Sequence, residues 1–221
     1  MEKGSIIYIN YVGKEKASGK VFDTNIEDVA KKSEIYEKNR KYKPLPVIIG
    51  AGFLLKGVEE ELKKMKVGEK KMIELAPEKA FGVPDPNLRR YFSLKEFLDK
   101  NIKPKVGDVL SFGNFRGRVV SIDGGRVLVD FNHPLAGKTV IFEIEIIKEV
   151  KAKEERIAAI LDIFTGRVED FEISIVDSSL EIKDKKNLID GNLMRLIKEN
   201  IFKWIDGISE IRFVYTFRKE K

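Results

Sequence analysis

Cysteine and glutamine are missing from all 221 residues, and histidine and tryptophan occur once each, as His133 and Trp204. Without cysteine there can be no disulfide and no thiolate metal ligand, and one histidine cannot build a zinc site, so no metal and no cofactor is expected. Long apolar runs are also lacking. The best candidate, "VIIGAGFLL" at 47–55, falls far short of the roughly 20 residues that span a bilayer. The opening "MEKGSIIYIN" has no basic stretch followed by an apolar one, so a cytoplasmic location and no membrane partner are expected.

Charge of one sign is scarce too. Lys and Arg number 42 against 36 Asp and Glu, a net charge of +6, and the two signs are interleaved almost everywhere. "EEELKKMKVGEKK" at 59–71 reads as a solvated helix face with opposite charges one turn apart. Residues 151–221 hold 14 basic and 14 acidic side chains, so they form no basic tail, and no nucleic-acid partner is expected. Many Lys, Glu and Ile beside absent Cys and Gln fit a thermophile protein.

The usual signatures of covalent chemistry are missing. No serine sits in a Gly-x-Ser-x-Gly context, and the carboxylate pairs fall on charged helix faces. "GAGFLLKG" at 50–57 lacks both the dinucleotide fingerprint and the Gly-Lys-Ser/Thr of a phosphate loop. What remains is apolar. Tyr11, Phe22 and Asp23 cluster at a strand edge, Leu54, Leu55 and Val58 at the start of a helix, Phe81 in a turn, and Phe142 on the inner face of a late strand.

The pattern of alternation predicts an α+β fold. "SIIYINY" and "KVFDT" read as strands, "PVIIG" as a buried strand, "GVEEELKKMKVG" as one short helix closed by Gly68, and "EKKMIELAP" as another strand. From Pro84 the texture changes: three of the seven prolines and one short helix are followed by the strands "VLSF", "RGRVVSI" and "GRVLVDF". "KTVIFEIEIIKEV" then resumes the first sheet. From 151 a helix, a hairpin, the amphipathic helix "NLIDGNLMRLIKENIFKWI" and a closing strand "ISEIRFVYTF" are expected. The domains are therefore 1–83 plus 131–150, an insert at 84–130, and an α+β domain at 151–221.

"NYVGKEKASGKVFDT", "VIIGAGFLLKGVEEELKKMKVGEKKMIELAPEKAFG" and "FNHPLAGKTVIFEIEI" follow one another with spacing that resembles the FKBP-type peptidyl-prolyl isomerases, in the SlyD-like and archaeal long-type branch. The resemblance covers 5–148, and more weakly an extra C-terminal domain. It implies an antiparallel sheet wrapped on one short helix, with a chaperone domain inserted in the flap at 84–130. The implied activity is cis/trans isomerisation of X-Pro bonds in unfolded or partly folded polypeptides, which the insert would hold. The alternative is a holdase with a vestigial pocket.

By this resemblance Tyr11, Asp23, Phe81 and Phe142 are the catalytic residues, and Phe22, Leu45, Leu54, Leu55, Val58, His133 and Leu135 bind substrate. Phe81 stands where the family usually has a tyrosine that donates to the ligand, and Val58 replaces a tryptophan floor. His133 is expected to have a structural rather than a proton-transfer role. Apolar side chains among Val109, Phe112, Phe115, Val119 and Val127 are expected to be exposed on the three-stranded insert, and 151–221 to form a homodimer interface.

Overall fold

The computed structural model describes residues 1–216, and the chain gathers into two compact units. The first comprises Met1–Glu74 together with the chain from Ile141 onward, and the second Leu75–Val140. Its elements begin with β1 (Ile6–Glu15), β2 (Val21–Thr24), α1 (Glu27–Lys32), β3 (Leu45–Ile48), α2 (Lys56–Leu62) and β4 (Lys70–Leu75). α2 is shorter than the sequence pattern predicts. It ends at Leu62 with Lys63 as its cap, and Gly68 instead uses its positive φ of 82° in a turn whose N–H reaches the Ile146 carbonyl.

The second unit contains β5 (Arg89–Ser93), α3 (Leu94–Leu98), β6 (Val109–Phe112), β7 (Phe115–Asp123) and β8 (Arg126–Asp130). Its sheet is four-stranded, ordered β5-β8-β7-β6. The expectation of three strands is thus corrected: "RRYFS" pairs with β8 although all of it but Phe92 is exposed, so it shows no apolar alternation. Phe92, Phe97, Phe112 and Phe131 meet in a ring cluster with centroids 4.9–6.1 Å apart. Over Val119, Val127 and Val129 they give this small sheet a core of its own. Ring pairs of this kind add about 0.5–1.5 kcal/mol each beyond burial. Gly117 leaves the space they need, since a Cβ there would lie 2.4 Å from Val129.

The chain then returns through β9 (Val140–Val150) to α4 (Lys153–Thr165), β10 (Phe171–Val176), β11 (Ser179–Asp184), α5 (Gly191–Trp204) and β12 (Glu210–Tyr215). Phe217, the end of the expected closing strand, and the rest of 217–221 lie outside the described residues. In the main sheet the order is β2-β1-β9-β4, and β3 pairs with the first half of β1. β9 alternates through Ile146: Phe142, Ile144 and Ile146 are buried, whereas Glu143 and Glu145 face out and pair with Lys14 at 2.5 Å and Lys70 at 3.3 Å.

β10 and β11 form the expected hairpin, and β12 joins β11 in parallel after the α5 crossover. The core of this region is not self-contained. Ile6 of β1 and Ile48 of β3 belong to the same buried cluster as Ile157, Ile160, Leu161, Ile197 and Ile201. Arg156 stitches the two regions further, donating to the Gly4 carbonyl at 3.2 Å and the Trp204 carbonyl at 2.6 Å.

Candidate active site

β1 and β2 run antiparallel with Val12 opposite Thr24 and Gly13 opposite Asp23, which brings Tyr11, Phe22 and Asp23 into one group. The Tyr11 hydroxyl donates to Asp23 Oδ2 at 2.7 Å. Buried Asn25 fixes the backbone beneath: its Oδ1 accepts from Tyr11 N–H at 2.8 Å, and its Nδ2 donates to the carbonyls of Ile9 (2.8 Å) and Lys43 (2.9 Å). Burial, and then the hydrogen bond to Asp23, raise the Tyr11 phenol above its ordinary value.

Phe22 and Phe142 meet edge to face with centroids 5.7 Å apart. The approach requires glycine at position 13. A Cβ there would stand 2.7 Å from the tip of the Phe22 ring and 3.0 Å from Phe142.

Arg40 completes this group, and sequence reasoning misses it. It donates to Asp23 Oδ1 at 2.7 Å and to the Tyr11 hydroxyl at 3.1 Å. Its guanidinium also lies 5.5 Å from the Tyr42 ring centroid, and Tyr42 in turn stacks on Tyr36. In "EKNRKYKP" it looks like one more solvated charge, and no periodicity in that loop distinguishes it. At 33% and 39% exposure, the Arg40–Asp23 pair adds only about 0.2–1 kcal/mol of stability. Its consequence is geometric: both oxygens of the Asp23 carboxylate are engaged.

The remaining expected site residues fall in several places. Leu45 begins β3, opposite Ile9, and is half-buried. Leu54 and Leu55 are half-buried just before α2, with Leu55 as its N-cap, and Val58 is buried on the helix itself. Phe81, His133 and Leu135 belong to the second unit.

There the His133 ring stacks flat on Phe81, with centroids 4.5 Å apart and planes 2° from parallel. Leu135 N–H donates to His133 Nδ1 at 3.2 Å, which leaves the ring proton of the neutral form on Nε2. The two crossings into the insert are tied together by Asn132, whose Oδ1 accepts from Asp85 N–H at 2.8 Å and whose Nδ2 donates to the Asp85 carbonyl at 3.0 Å.

Tyr11 also borders a cleft of about 330 Å³ with Val12, Met72 and Ile144, but Phe22, Asp23 and Phe142 do not line it. The cleft is also lined by Lys70, Lys71, Glu143 and Glu145, and it shares only Tyr11 with the aromatic and carboxylate constellation.

Comparison with known proteins decides the family. The chain is 35% identical over 146 residues to the short-type peptidyl-prolyl cis-trans isomerase of Methanocaldococcus jannaschii, a match covering 66% of this chain and 92% of that one. This chain belongs to the FKBP-type peptidyl-prolyl isomerases. An FKBP-type 16 kDa peptidyl-prolyl cis-trans isomerase of Escherichia coli K12 is 41% identical over 111 residues, covering 48% of this chain and 74% of its own. An FKBP-type isomerase of Helicobacter pylori, SlyD, is 30% identical over 131 residues, covering 58% of this chain and 70% of its own. A family model described as "FKBP26, IF domain" matches residues 92–135, within the unit that interrupts the FKBP-type sheet.

Proposed function

We propose that this FKBP-type chain catalyses cis/trans isomerisation of X-Pro bonds in unfolded or partly folded polypeptides at the Tyr11, Phe22, Asp23 and Phe142 constellation. The observation that carries the reading is the edge-to-face pair Phe22–Phe142 over the bare backbone of Gly13, beside a tyrosine and a carboxylate already bonded to each other. No proton need move. Rotation about an X-Pro bond faces a barrier of about 18–20 kcal/mol because amide resonance is lost. The twisted amide is less polar than the planar one, so dry aromatic walls penalise it less, and that difference in binding is catalysis.

In this reading Phe22 and Phe142 wall the proline ring over a Val58 floor, and Asp23 faces the substrate carbonyl, held by Tyr11 and Arg40. Leu45, Leu54 and Leu55 line the rim, and Leu55 N–H receives a substrate carbonyl. Phe81, His133 and Leu135 also serve the substrate, with His133 supporting Phe81 rather than transferring a proton.

The proposed domains are 1–83 plus 131–150 for isomerisation, 84–130 for client holding and 151–221 for association. Client holding is supported by exposed apolar side chains on the insert, Val109 at 55% and Phe115 at 70%, joined by Tyr91, Val106 and Val120. Of the other expected holders, Val119 and Val127 are buried and Phe112 sits in the ring cluster, so those belong to the core. Homodimer formation is supported by Leu196 and Phe202, exposed on α5. A cytoplasmic setting, with neither membrane nor nucleic acid as partner, completes the proposal.

Exchange NMR on a short X-Pro peptide at substoichiometric protein tests the activity. Cross-peaks linking the cis and trans forms are expected at mixing times where the peptide alone shows none. A peptide that binds yet exchanges no faster would overturn the reading.

A further inference from the structure

The last turn of α4 touches both loops that frame the proposed site. Asp162 is a helical carboxylate with only 3% of its side chain exposed, and it reaches Lys43 Nζ at 2.5 Å. Lys43 Nζ also lies 3.4 Å from the Gly166 carbonyl at the end of α4. In the same loop Lys41 pairs with Glu169, strongly enough to hold that carboxyl at about 2. Between α1 and β3 this loop carries Arg40, and the Lys43 carbonyl is the acceptor that ties Asn25, and through it the Tyr11 backbone, to the loop. On the other side, Phe164 meets Phe53 edge-on at 5.9 Å, immediately before Leu54 and Leu55.

We propose that the C-terminal domain is a positioning element of the isomerase site, acting through Asp162 and Lys43 to set the Arg40 loop and hence the Asp23 carboxylate. The proposal rests on the isomerase reading. A nearly buried carboxylate with a lysine as its charge partner holds that lysine far more firmly than a surface pair would, because releasing it strands the charge. The loop is therefore pinned at Lys43 on one side and closes over Asp23 with Arg40 on the other. Neither Lys43 nor Asp162 touches substrate in this arrangement. Their effect is to choose where Arg40 stands.

The test is a double-mutant cycle on the full chain, with kcat and KM measured separately on a short X-Pro peptide. Asp162→Asn keeps the shape of the side chain and removes its charge. It is expected to lower kcat by about fivefold, a typical coupling between residues that act through a shared network. The loss should vanish in an Arg40→Gln background, whereas Lys43→Arg, which keeps the pair, should retain wild-type kcat. Should Asp162→Asn fail to fold, the exposed pair carries the test: Lys41→Met should give a smaller loss of kcat with the same dependence on Arg40. A wild type that isomerises, with a variant loss that persists in the Arg40→Gln background or with no loss at all, would overturn the proposal. A wild type that does not isomerise would instead sink the isomerase reading.

Discussion

Arg40 donates to Asp23 Oδ1 at 2.7 Å while Tyr11 holds the opposite oxygen at the same distance. The carboxylate is therefore clamped from both sides and cannot turn without breaking a charged hydrogen bond. Bonds of this kind are worth roughly twice a neutral one, enough to fix an orientation even where their net stability is small.

The clamp has a titration signature. The Tyr11 phenol is raised above 10.0 by burial and by Asp23, so it stays protonated beyond the range in which a free tyrosine ionises. A pKa raised on folding contributes stability in full below the unfolded value. That stability is lost as pH climbs through the folded value. Alkaline destabilisation from Tyr11 should thus begin only above about pH 10. In an absorbance titration, Tyr11→Phe should delete a tyrosine that ionises late. Deletion of one with an ordinary midpoint would show that the burial and the Asp23 bond do not persist in solution.

Gly13 offers a steric test. A methyl group there meets the tip of the Phe22 ring at 2.7 Å. Overpacking costs about 1–3 kcal/mol, and because the ring tip can swing aside, Gly13→Ala should fall at the lower end. In the proposed reading Phe22 is one wall for proline, so its displacement should raise KM for an X-Pro peptide although the protein stays folded at the assay temperature. Unchanged KM with lowered stability would separate Phe22 from the substrate.

Much of this fold is legible in the sequence, for physical reasons. β9 declares itself because one face is core and the other carries Glu143 and Glu145. The one short helix expected after Pro84 is α3, and in the structure Glu96 accepts from the Ser93 N–H at its start at 3.3 Å. The proposed aromatic walls rest on family resemblance alone, since Phe22 and Phe142 look like ordinary core residues when read by themselves. β5 is not legible, because a strand with one half-buried residue in five has no apolar rhythm. Nor is Arg40, whose role depends on a loop that brings it back over β2. The sharing of Ile6 and Ile48 with the helices of 151–216 is a purely tertiary fact.

Substitutions in the insert test the proposed client holding apart from isomerisation. Val109 and Phe115 are exposed, so Val109→Ser with Phe115→Ser should change stability by no more than about 0.5 kcal/mol per site. Suppression of aggregation of an unfolded client, followed by light scattering, should weaken markedly. Isomerisation of a short X-Pro peptide should be untouched. Full aggregation suppression by the double variant would move client holding away from these side chains.

The most direct test of the central claim is refolding of a protein limited by one X-Pro isomerisation, with catalytic amounts of wild type and of Asp23→Ala. Uncatalysed, that phase takes tens to hundreds of seconds. Acceleration by wild type that falls sharply with Asp23→Ala, at equal thermal stability, is the predicted result. Equal acceleration by both proteins, or none by either while aggregation is still suppressed, would contradict an isomerase site built on the clamped Asp23.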